Sequence, residues 1–87
     1  MKRLLVRGTP TEVFEHLYVF NDEDVLTESI GVKFEDLEET VFALLAKYEI
    51  NHIDLSGSRS YIEGIERQIK RAGVTTYSID NLNFRYV

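Results

Sequence analysis

The hydrophobic period of this chain first changes at Lys33, and that change constrains the fold more than any other feature. Before it, apolar side chains recur at every second position, as in strands; after it they recur at helical spacing. Arg3-Leu4-Leu5-Val6-Arg7 reads as a first strand. Gly8-Thr9-Pro10 ends it, since proline cannot donate to a sheet ladder. A second strand is expected over 12–20, with Val13, Leu17 and Val19 on one face and Phe14, His16, Tyr18 and Phe20 on the other. Asn21-Asp22-Glu23-Asp24 is a turn of side chains that bond their own backbone. A third strand over 25–32 sets Leu26, Ile30 and Val32 against Thr27 and Ser29. The short connections make these three an antiparallel meander.

Past Lys33 the chain alternates helix and strand. Phe34, Leu37, Val41, Leu44, Leu45 and Tyr48 fall on one side of a helix over 34–48. Glu35, Asp36, Glu38 and Glu39 crowd its first two turns, where the macrodipole favours anions. Glu38 differs from the other three in lying at the edge of the apolar stripe. Residues 50–55 read as a fourth strand, flanked by helices and so parallel to a neighbour. Gly57 breaks it. Ser60 and Glu63 form a capping box for a second helix, with Tyr61, Ile62, Ile65, Ile69 and Ala72 on its apolar face and Gly73 as its stop. Residues 74–79 read as a fifth strand. After an Asp80-Asn81 turn, Leu82, Phe84 and Tyr86 alternate with Asn83 and Arg85 as a short C-terminal strand would. The expected architecture is α/β, ordered β-β-β-α-β-α-β: one domain over 1–87, with helices packed on a mixed five-stranded sheet and a short strand at the end.

Composition narrows function mainly by exclusion. The 87 residues contain no cysteine, which removes disulfides, thiol chemistry and thiolate metal sites and fits a cytoplasmic protein. The net charge of −5 opposes general affinity for phosphate backbones and favours basic partners. The apolar run after Lys2-Arg3 is too short for a signal peptide, and no stretch approaches a membrane span.

Three short pieces resemble ribonuclease H. Val6-Arg7-Gly8-Thr9 stands where that family has an Asp-Gly-Ser-like turn after its first strand. Leu37-Glu38-Glu39-Thr40-Val41-Phe42-Ala43-Leu44-Leu45 resembles the family's first helix, and Glu38 matches its catalytic glutamate. Leu55-Ser56-Gly57-Ser58-Arg59-Ser60-Tyr61-Ile62-Glu63-Gly64-Ile65 resembles the end of the fourth strand and the helix after it. The resemblance covers 1–79 in element order and implies a ribonuclease H-like fold. The family's chemistry uses carboxylates to hold two divalent metals. Here Arg7 and Gly57 replace two of them, leaving Glu38 as a relic, so the expectation is a catalytically inactive homologue with no cofactor. The alternative is a divergent nuclease using magnesium or manganese on Glu38, Asp54 and Asp80.

Other candidates are weaker. His16 and His52 lie on strands without a second ligand at metal spacing. Arg59, Arg67, Lys70 and Arg71 make the second helix locally basic, a surface nucleic acid could use, although the acidic excess opposes it. Tyr77, Leu82, Phe84 and Tyr86, with Phe20, are many apolar and aromatic residues for a late strand and a turn edge. An uncovered edge strand invites pairing with another chain. The expected function is therefore protein interaction or self-association through the C-terminal strand.

Overall fold

The computed structural model describes residues 1–76 and 82–87. Three strands open the chain: β1 (Arg3–Gly8), β2 (Phe14–Phe20) and β3 (Leu26–Lys33). A 3-10 turn over Phe34–Asp36 leads into α1 (Leu37–Tyr48), followed by β4 (His52–Gly57), α2 (Arg59–Thr76) and β5 (Asn83–Tyr86). The strands form one five-stranded mixed sheet in the order β3-β2-β1-β4-β5. The first three pair antiparallel, and β1, β4 and β5 pair parallel.

Register decides which side chains meet. Leu4 lies between Val19 and Ile53, and Val6 between Leu17 and Leu55. All six are buried, and they join Leu37, Val41, Leu44 and Leu45 of α1 and Ile62, Ile65 and Ile69 of α2 in one core. Full burial of such side chains contributes about 1.5–3 kcal/mol each. Both helices thus cover one face of the sheet. On the other face stand Arg3, Leu5, Arg7, Phe14, His16, Tyr18, Phe20, His52, Asp54 and Ser56, and of these only Asp54 is buried.

Three expectations are corrected. Gly73 does not stop α2, and residues 74–76 are helix rather than strand. Gly73 is buried one turn beyond Ile69, on the face held by Ile62, Ile65 and Ile69. Glycine inside a helix costs about 1 kcal/mol, which that apolar contact outweighs. Residues 77–79 of the expected strand lie outside the described residues, and the fifth strand of the sheet is the C-terminal one, β5. Second, Phe34 is 47% exposed rather than part of the helix's apolar face. It belongs to a 3-10 turn, whose three-residue period puts it out of phase with the stripe that begins at Leu37. Third, α2 starts at Arg59, so Ser58 rather than Ser60 precedes it, and Glu63 bonds Arg59 Nε at 2.9 Å.

Gly57 closes β4 in a conformation that only glycine adopts readily, with φ +147°. A Cβ there would lie 2.0 Å from the carbonyl oxygen of Gly8, the last residue of β1. The two strand ends therefore meet backbone to backbone.

Candidate functional site

The carboxyl ends of the parallel strands are where a catalytic centre of the resembled kind would be built. Topology brings the ends of β1, β3 and β4 to one border of the sheet, together with the start of β2 and the N-termini of both helices. Arg7 is exposed there on the helix-free face, next to Ser56 in register. Glu38 sits half-buried in the first turn of α1. The buried carboxylate at this border is instead Glu15, near the start of β2, on the helix side of the sheet. Its Oε1 accepts a hydrogen bond from the Tyr61 hydroxyl in the first turn of α2, and its buried Oε2 has no partner among the described residues. A Cβ on Gly8 would lie 3.0 Å from Glu15 Cγ, so a glycine is what lets the carboxylate fit. Burial, and then the bond and charge of Glu15, push the Tyr61 hydroxyl up to about 12.

Sequence reading passed over Glu15. The signal was present: it occupies the odd-numbered face of β2, in line with Leu17 and Val19, where alternation calls for an apolar residue.

Asp54 faces the opposite way. It pairs in register with Leu5 on the helix-free face, and its side chain is 3% exposed. Arg85 bonds it twice, Nε to Oδ1 at 3.1 Å and Nη2 to Oδ2 at 2.9 Å. Arg3 Nη1 reaches Oδ2 at 3.2 Å, while Arg3 Nη2 pairs with Asp24 at 2.7 Å. The Arg3 guanidinium also lies 3.9 Å from the centroid of the Phe20 ring. Arg3, Asp24, Asp54 and Arg85 line a cleft of about 380 Å³ together with Met1, Leu5 and Val87. Asp54, a metal ligand under the nuclease alternative, is thus an acid held by two side-chain cations. Among the described residues, no three His, Asp or Glu side chains are grouped closely enough to hold a metal ion. Asp80 and Tyr77 lie outside the described residues.

Two of the four basic residues of α2, Arg59 and Lys70, are held in ion pairs. Arg59 pairs with Glu63 and stacks over Tyr86, with its guanidinium carbon 4.1 Å from the ring centroid. Lys70 pairs with Glu66 at 2.7 Å and lies 5.0 Å from the centroid of Phe84. Arg67 and Arg71 are exposed. Burial raises the pKa of Glu66, but the bonds from Lys70 and Tyr86 outweigh it and hold that carboxyl below its ordinary value.

On β5, Leu82 is buried just before the strand, Phe84 packs against the core, and the Tyr86 hydroxyl donates to Glu66. Among the described residues, no strand pairs with the outer edge of β5 or, at the other border, with that of β3, which is eight residues long. Glu28 of β3 accepts from the Tyr48 hydroxyl at 2.5 Å and from Lys47 Nζ at 3.4 Å. The Tyr48 bond in particular lowers the pKa of Glu28, and the same contact raises that of Tyr48. This cluster fixes the end of α1 over β3.

Comparisons with protein-family models, with curated proteins and with solved structures return no match for this chain. Among the described residues, no helix is long and apolar enough to cross a membrane.

Proposed function

We propose that the chain is a small non-catalytic domain of ribonuclease H-like topology that acts by binding another protein chain along an edge of its sheet. The element order β-β-β-α-β-α-β supports the topology. The observation that carries the loss of catalysis is the place of Asp54. It is buried between two arginines on the helix-free face, while Arg7 and Gly57 stand at the ends of β1 and β4. A two-metal centre needs several carboxylates converging on open coordination positions. Asp54 has spent its oxygens on guanidinium groups, and Glu38 is on another element.

The binding role rests on the two sheet borders. Unpaired backbone amides and carbonyls on an edge strand are a template for a further strand. Incubation with an RNA–DNA hybrid and with a branched DNA, each with magnesium and with manganese, tests the non-catalytic reading. The expected result is no cleavage. Metal-dependent cleavage that disappears in Glu38→Gln would overturn it.

A further inference from the structure

The two borders of the sheet are unequal, and the longer one has a definite chemistry. At about 3.4 Å per residue, the eight residues of β3 run about 27 Å, against a longest molecular dimension of 31 Å. Exposed apolar residues mark both ends: Val25 and Leu26 at one, Phe34 and Phe14 at the other. Exposed acids flank the same two ends. Asp22, Glu23 and Asp24 form the turn before β3, and Glu35 and Asp36 the turn after it. Glu23, Glu35 and Asp36 make no ion pair among the described residues, whereas Asp22 and Asp24 pair with the N-terminus and Arg3.

We infer that the free edge of β3 takes an extended segment of a partner protein as a sixth strand, and that this segment is basic at both ends with alternating apolar residues between. The inference rests on the binding-module reading above and names the partner's chemistry. Every second side chain of an added strand falls on the helix side, beside half-buried Ile30 and Tyr48, which favours apolar residues there. Its ends fall beside the two acidic turns, which favours lysine or arginine. A second copy of this chain fits less well. Antiparallel pairing about Ile30 would bring Leu26 near the other copy's Phe34. It would also set Asp24 beside the other copy's Asp36, and like charges across a strand pair are destabilising.

The test is an amide NMR titration of the whole chain with a synthetic peptide of about ten residues, long enough to span the edge. Alternating valine and threonine form its centre, with two lysines at each end. Shifts confined to Leu26–Lys33 and its flanking turns are expected. Exchanging the lysines for glutamates should weaken binding about tenfold, the sum of several exposed ion pairs. The double variant Glu35→Lys, Asp36→Lys, outside the strand, should also weaken the lysine peptide. Two further peptides carry N-methyl groups on alternate amides, one in each phase. Strand addition requires that only one of them bind.

Shifts at Asn83–Tyr86 instead of β3 would overturn the choice of edge while leaving the binding-module reading in place. Equal binding of the glutamate peptide would overturn the charge assignment. Equal behaviour of the two N-methyl peptides would overturn strand addition. Absence of binding would overturn the proposed partner. So would concentration-dependent shifts of β3 without peptide, which would make a second copy the occupant. Metal-dependent cleavage would remove the functional reading itself, an outcome the titration does not produce.

Discussion

Glu15 and Asp54 are both about 2% exposed, on opposite faces of one sheet, and they are kept there by different means. Asp54 is matched by two cations that between them bond both its oxygens. Among the described residues, Glu15 has one neutral donor, the Tyr61 hydroxyl, and one oxygen with no partner. Burying a charge is costly unless it is paired, and an unsatisfied buried polar atom carries the cost of its lost hydration. Asp54 therefore ties β4 to the two strands that flank it in the sheet, β1 and β5. Glu15 is a local expense at the border where Gly8, Gly57 and the start of α2 converge.

The comparison can be broken by removing the partners one at a time. Arg3→Ala should have the largest effect, a loss of about 3 kcal/mol. It leaves a buried carboxylate with one cation and removes the stacking on Phe20. Urea unfolding measures it, and a loss below 1 kcal/mol (about a third of that figure) would mean Asp54 does not depend on Arg3. Glu15→Met keeps the side chain unbranched and removes the orphan oxygen, so stability should rise by about 1–2 kcal/mol. A fall of similar size would show that Glu15 is better satisfied than its contacts indicate. Arg85→Ala should cost less than Arg3→Ala, because its side chain is 60% exposed and that of Arg3 only 20%.

The effect read only at high pH comes from Tyr61. Its hydroxyl is raised from 10.0 to about 12, so the folded chain holds a proton that the unfolded chain releases earlier. Its contribution is complete below pH 10 and is lost as pH rises through about 12. The melting temperature should fall less steeply across that window in Tyr61→Phe than in the unaltered chain. Identical slopes would mean that neither burial nor Glu15 raises the pKa of Tyr61.

Periodicity made the meander, α1, β4 and the apolar face of α2 legible, because each buries one face against a single core. It failed where a local preference competed with that core. Val74, Thr75 and Thr76 are β-branched and follow a glycine, yet α2 runs through them because the Ile62–Ile65–Ile69 face carries the helix on. Phe34 looked like the first residue of a stripe and belongs to a turn of another pitch. At the candidate sites, the partners of Asp54 were not legible. Arg3 and Arg85 come from strands far away in the sequence, and only the sheet order makes them neighbours. Glu15 was legible as an exception to an alternating pattern and was passed over because single acids in strands usually face water.

The contact between Gly8 and Gly57 bears on how the protein is made. The central strand β1 gains its second neighbour only when β4 has left the ribosome, after the meander and α1. Until then one side of β1 is an open edge, and Leu4 and Val6 await the strand that supplies Ile53 and Leu55. At about 5–20 residues per second, synthesis leaves that nascent meander exposed for seconds. Its exposure to aggregation and to chaperones is therefore set by the translation of α1 and β4 rather than by the stability of the finished domain.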